Sequence, residues 1–259
     1  MASPMSRRID DERFPEWQPF VDAVRHRRPD DTTWCDPWTV RDIVVHQTGT
    51  AGELARVLGA HLQGESVETR GFEEREAPLR ALDDSDLWDA LHDRMADLTE
   101  VAAAAADEAD ADTDVAWTGR TMKVPWFAEH MRMELVLHGW DITGCDAASQ
   151  RRLGQPWMTT HSVFAVGRPL LAKGAGQLRP GERVDARLRV PETDDVVVCA
   201  DADHTAIGLA EPDGPATVET DAAARVLLLW GRRPADPSRI HSHGGAETLG
   251  QLRRLLSGY

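Results

Sequence analysis

Residues 127–141, FAEHMRMELVLHGWD, hold five side chains that can bind a proton or a metal, and four of them recur at helical intervals. His130, Glu134 and His138 stand at i, i+4 and i+8, and Asp141 follows at i+11. On a helix, residues four apart lie above one another on one face. Two chemistries fit that stripe. One is an ordinary Glu–His pair that steadies a solvated helix. The other is a metal grip, in which Glu134 and His138 bind one ion and a third ligand comes from another helix. Zinc held by two nitrogens and a carboxylate, with a fourth position open, is a catalytic arrangement. His46 is the natural third ligand, and His130 competes for a place. Asp141, three residues beyond His138, can orient that imidazole from behind or pair with a surface arginine.

These side chains need helices to position them. The run TVRDIVVHQTGTAGELARVLGAHLQG carries Val40, Ile43, Val44, Leu54, Val57 and Leu58 on an apolar face, with His46 within it and Glu53 further on. Thr39 and Asp42 form a capping-box-like start, and Gly64 ends the run. Gly49 and Gly52 weaken this helix locally and admit a close-packed neighbour or a ligand. Residues 14–27 predict a first helix. Leu87, Leu91, Met95 and Leu98 predict a third, running through an alanine tract into the acidic loop 107–114. The segment 65–82 reads as charged and irregular. Residues 115–124 read as extended with a turn at Gly119, and Pro125 opens a fourth helix over 125–147. Four amphipathic helices suggest a bundle, a fold that builds metal sites from inward-facing side chains.

The second half has a different texture. A helix is expected over 161–172, strands over 182–190, 195–200 and 215–220, a helix over 222–230 capped by Asp221, and a last helix over 246–256. The expected fold class is therefore α+β: a helix bundle over 1–150, then a small α+β domain over 156–259. Charge divides at the same place. Residues 1–150 hold 31 acids against 15 bases, and the remainder 13 against 14.

The chain has 259 residues, 41% of them hydrophobic and 28% charged, with a net charge of −15. Such acidity is ill suited to nucleic acid, which is bound through clustered Lys and Arg. No apolar run reaches the roughly 20 residues of a membrane helix, and MASPMSRRIDDERF has no apolar signal-peptide region. Cys35, Cys145 and Cys199 match no zinc-ribbon spacing and are odd in number, so a reducing, cytoplasmic setting is expected.

The segments CDPWTVRDIVVHQTGTAGE (35–53) and MELVLHGWD (133–141) resemble the two signature stretches of the mycothiol-dependent maleylpyruvate isomerase family, of the DinB-like metal-binding bundles. Trp38, Thr39, Asp42 and His46 carry the first pattern; Glu134, His138 and Asp141 carry the second. VETDAAARVLLLWGRR (218–233) is similar to the family's second, sterol-carrier-like domain. The resemblance spans most of the chain in the same order. It implies a DinB-like four-helix bundle and a divalent metal, usually zinc, held by His46, Glu134 and His138. It also implies mycothiol as cofactor, its thiol deprotonated at the metal. The thiolate would add to the cis double bond of maleylpyruvate; rotation and elimination would give fumarylpyruvate. Substrate carboxylates would need cations, and Arg232, Arg233 and Arg239 are candidates, with Arg232 and Arg239 foremost; surface arginines are the commoner explanation.

Other features have plainer readings. His241 and His243 flank Ser242 and could share a metal, or simply sit in a loop; Cys35 and Cys145 read as packing residues; Trp126 and Trp140 could wall a pocket or fill the core. Three functions stay open: an isomerase, a thiol S-transferase sharing its metal site, and a non-catalytic small-molecule carrier that would survive loss of His46 or Glu134. The substrate and the oligomeric state are not legible.

Overall fold

The computed structural model describes residues 8–144, 146–201 and 203–256. Cys145 and the first seven residues, on which two of the readings above fall, lie outside the described residues. The chain divides into two compact units, Met1–Thr143 and Gly144–Tyr259.

The first unit is helical. Helices α1 (Trp17–Arg25), α2 (Val40–Leu62), α4 (Asp84–Glu108) and α5 (Val124–Thr143) form the bundle, with α3 (Phe72–Arg80) laid against α2. Helix α2 starts as its sequence dictates. The Thr39 hydroxyl accepts from the Asp42 backbone N–H at 3.2 Å, and the Asp42 carboxylate accepts from the Thr39 N–H at 2.9 Å. The two side chains thereby satisfy orphan donors of the first turn. Asp83 caps α4, accepting from Asp86 N–H at 2.9 Å. Phe14, Phe20, Ile43, Leu54, Leu58, Leu87, Leu91, Met95, Leu98, Phe127 and Trp140 are fully buried and make the core.

Two sequence expectations change here, and a third is borne out and made specific. The segment 65–82 is not all irregular, because α3 forms within it. Its charged composition and Pro78 hide an amphipathic pattern. The helix ends still carried a signal: Glu73 and Glu74 in the first turn and Arg80 in the last complement the helix dipole. The fourth helix ends at Thr143, short of 147, because Gly144 turns left-handed (φ 75°) and stops it. The extended segment is a hairpin, β1 (Asp114–Trp117) and β2 (Arg120–Lys123), turning through Thr118 (φ 43°) and Gly119 (φ 76°).

Helix α5 is buried on nearly every side. Phe127, Met131, Met133, Leu135, Val136, Leu137, Trp140 and Ile142 are buried, and so are His130, Glu134, His138 and Asp141. Its polar stripe is therefore not a solvated face.

The second unit begins with α6 (Ala147–Leu153) and α7 (Pro156–His161), continues through a π-helical segment Ser162–Gly167 into α8 (Arg168–Ala175), and then forms a sheet. Strands β3 (Val184–Arg189), β4 (Asp195–Ala200), β5 (Thr205–Ala210), β6 (Val218–Thr220) and β7 (Ile240–Ser242) lie in the order β5-β4-β3-β6-β7, antiparallel except for β3 with β6. β5 and β7 were not foreseen; one carries a glycine and the other is three residues long. Helix α9 (Ala222–Leu229) is buried along most of its length, and α10 (Gly245–Leu255) closes the unit. The fold class is thus α+β: a helical bundle followed by a sheet-containing unit. Among the described residues no helix is long and apolar enough to cross a membrane.

Candidate metal centre

Helices α2 and α5 pack in the bundle and bring His46, Glu134 and His138 to one point. Glu134 Oε2 lies 3.2 Å from His138 Nε2 and 3.4 Å from His46 Nε2. The two imidazoles meet edge to face, 5.1 Å between centroids. One ligand atom from each residue falls within a 4.8 Å cluster, and all three residues are buried. Among the described residues this is the one such group of three or more donors.

Each imidazole is backed on its far nitrogen by a carboxylate. His46 Nδ1 is hydrogen-bonded to Glu76 Oε1 at 2.9 Å. His138 Nδ1 lies 2.9 Å from Asp141 Oδ2, close enough for a strong electrostatic contact although off the line of a well-aligned hydrogen bond. Such partners place the proton on Nδ1 and turn the Nε2 lone pair toward the third ligand. Glu76 is itself held by Arg80, whose Nη2 donates to Oε2 at 2.8 Å. Gln47 Nε2 donates to Glu134 Oε2 at 3.4 Å. Aromatic rings wall the group: Trp38 stacks on His138 (5.7 Å, 13°) and reaches His46 (5.0 Å), and Phe72 lies 5.5 Å from His46.

Burial and charge pull in opposite directions. Burial would raise the Glu134 carboxyl, but hydrogen bonds and charge from His138 and His46 hold it well below the ordinary carboxylate range. Burial would lower His138, but Asp141 and Glu134 outweigh it and raise the imidazole above its ordinary value. Glu76 is likewise lowered against its burial, chiefly by His46. A buried carboxylate flanked by two imidazoles whose outer nitrogens are already engaged is a donor set that suits a divalent transition metal. An exposed Glu–His helix pair, the plainer reading of the spacing, is incompatible with this burial.

The remaining candidates are placed as follows. His130 is buried on the same stripe, its Nε2 3.8 Å from Glu134 Oε1 and its ring 5.8 Å from Trp117, outside the three-residue cluster. Arg239 lies in the second unit, where Nε and Nη2 grip the Asp221 carboxylate at 2.7 and 2.6 Å, and Asp221 caps α9. Arg232 is buried there, its Nη1 donating to the Trp230 carbonyl at 3.0 Å. His241 and His243 meet edge to face, 4.7 Å between centroids, and His243 Nε2 lies 3.4 Å from Glu219. Gly49 admits a close-packed helix: a Cβ there would meet Glu76 Cγ at 3.2 Å and Arg75 Cγ at 3.4 Å. Glu76, Phe72 and Gln47 were missed from sequence, the first two because α3 was missed.

Residues 14–143 match the family model described as mycothiol maleylpyruvate isomerase N-terminal domain. Two solved structures superpose on 91% of this chain and 93% of their own. One is a mycothiol-dependent maleylpyruvate isomerase, with a TM-score of 0.58 and 15% identity. The other is a histidine-to-alanine mutant of a mycothiol-dependent maleylpyruvate isomerase, with a TM-score of 0.59 and 14% identity. At that identity the likeness is one of fold. No curated protein matches the chain in sequence.

Proposed function

The chain belongs to the mycothiol maleylpyruvate isomerase N-terminal domain family, and from that premise we propose that it is a metal-dependent, mycothiol-dependent cis–trans isomerase of the maleylpyruvate isomerase kind. The observation that carries the proposal is the convergence of His46 Nε2 and His138 Nε2 on Glu134 Oε2, with a carboxylate behind each imidazole.

His46, Glu134 and His138 would hold one divalent ion, and zinc suits two imidazoles and a carboxylate. When bound, the metal and a small thiol would together supply a thiolate nucleophile, the chemistry that isomerisation by reversible addition requires. The protein's own side chains do the rest. Glu76 and Asp141 fix the two imidazoles. Trp38 and Phe72 cover the group with apolar surface, which strengthens every charge interaction inside it. Glu134, held as a carboxylate, balances part of the cation's charge. A cytoplasmic location agrees with the cysteine usage. An S-transferase would use the same residues and differ in consuming the thiol; a carrier would not need this donor set.

The test is metal content of the purified protein and of His138→Ala, followed by isomerisation of maleylpyruvate with and without mycothiol. The expected result is about one equivalent of zinc in the wild type, little in the variant, and turnover that regenerates the thiol. Stoichiometric thiol consumption would turn the assignment to a transferase. Absence of metal after reconstitution would sink it and favour the carrier.

A further inference from the structure

Two arginines of the first unit, one buried and one half-buried, each carry a buried Nε and make no ion pair among the described residues. Arg75, on α3, is 9% exposed. Its guanidinium lies over the Phe72 ring at 4.4 Å, its Nε makes no hydrogen bond, and among the described residues no carboxylate forms an ion pair with it. Arg120, opening β2, donates from Nη1 to Thr118 Oγ1 at 3.1 Å and approaches Met122 Sδ at 3.9 Å. Its Nε is also buried without a partner, and among the described residues it too has no ion pair.

Both arginines border the metal centre. Phe72, under Arg75, contacts His46, and the stem of Arg75 packs at Gly49, one helical turn along α2 from His46. Trp117, the hairpin partner of Arg120, contacts His130 on the stripe of α5. Glu134 acts on both guanidiniums through space, and Glu76 and Glu53 act on Arg75 as well, without any of them forming an ion pair with either. Other arginines of this unit are answered inside the fold: Arg56 and Arg70 by Glu53, Arg80 by Glu76, Arg132 by Glu16.

Arginine does not shed its proton in a protein, and a largely desolvated guanidinium that makes no ion pair gains from a directly bound anion. Its planar fork also matches a carboxylate. We propose that Arg75 and Arg120 form a carboxylate-binding subsite beside the His46–Glu134–His138 group, so that the electrophile is an unsaturated carboxylate gripped by the first unit itself. That substrate class rests on the isomerase reading above; the anion site rests on the two guanidiniums alone.

The experiment is calorimetric binding of maleate to the wild type, Arg75→Met and Arg120→Met, with uncharged dimethyl maleate as control and metal content measured on the same samples. Maleate should bind the wild type, and each variant should weaken it roughly tenfold or more. Dimethyl maleate should not distinguish the three proteins. Thermal melts are read in parallel. Removing a desolvated charge that makes no ion pair should leave the melting temperature of Arg75→Met unchanged or raised. A variant that unfolds, or that binds maleate as tightly as the wild type, overturns the subsite. Wild-type protein that holds metal and ignores maleate overturns it too. Protein without metal that still takes up maleate through the two arginines would leave the subsite standing and sink the metal–thiol reading instead.

Discussion

His46 and Glu76 form a buried pair in which the Glu76 carboxylate, from α3, accepts from Nδ1 of the imidazole on α2 at 2.9 Å. That bond selects the tautomer and aims Nε2 at Glu134. Outer carboxylates of this kind are worth about 10- to 100-fold in metal affinity. Glu76→Gln keeps the shape and removes the charge, so it should weaken metal binding by that factor while the helical circular dichroism spectrum is unchanged. A chelator competition titration measures it. Unchanged affinity would mean that Glu76 serves only to pin α3.

His138 should release a proton when metal binds. Its pKa stands above the ordinary 6.5, since Asp141 and Glu134 overcome the effect of burial. The metal-free imidazole therefore holds its proton more firmly than an ordinary histidine, and a ligand must be neutral. Zinc titrations in buffers of different ionisation enthalpy should show proton release in mildly acidic buffer, fading in alkaline buffer, and affinity should fall on acidification. Asp141→Asn should reduce the proton count. Buffer-independent heats would contradict the assignment.

Glu53 ties the segment before α3 to α2. Its buried carboxylate accepts from the Arg70 backbone N–H at 2.7 Å, Arg70 Nε at 2.8 Å and Arg56 Nη2 at 2.6 Å. Burial would raise its pKa, but these contacts lower it from 4.5 to about 2. A depressed folded-state pKa adds stability that is fully present above pH 4.5 and is lost as pH falls toward 2. Glu53→Gln should cost on the order of 2 kcal/mol at pH 7, allowing for the partly exposed arginines. Urea unfolding across that pH window should show the difference shrinking as acid neutralises the wild-type carboxyl.

In the second unit, α8 and α10 touch backbone to backbone at Gly174. A Cβ placed there would lie 1.7 Å from the Leu255 carbonyl oxygen. Gly174→Ala should therefore destabilise the protein by about 3 kcal/mol through overpacking. Gly250→Ala, on α10, has only Arg254 Nη1 within 4 Å. It should instead stabilise by roughly 0.5–1 kcal/mol. Thermal denaturation of the pair checks both signs, and equal melting temperatures would refute the close approach.

Much of the candidate site is written in local spacing. Glu134, His138 and Asp141 share a face on any helix, because 3.6 residues per turn is a property of the backbone and not of the fold. The Thr39 cap is equally local, and so is the turn that Gly119 permits. The apolar intervals of α2 and α4 required a partner surface, and those of β3 and β4 required a sheet.

Other features depended on packing. Burial of the α5 stripe turns a Glu–His pair into a donor set, and burial is decided by the neighbouring helices. Glu76 reaches His46 across 30 residues of sequence, through a helix that is mostly charged and lies against α2. Arg75 and Arg120 look like ordinary surface arginines until α3 and the hairpin fold inward and leave them without an ion pair among the described residues. Sequence by itself determined the four helices of the bundle, the two textures of the chain and the metal-binding spacing, because each follows from residues within a few turns of one another. Only the tertiary structure decided which carboxylates stand behind the imidazoles and which cations stand beside them, because those contacts join segments whose meeting no local pattern encodes.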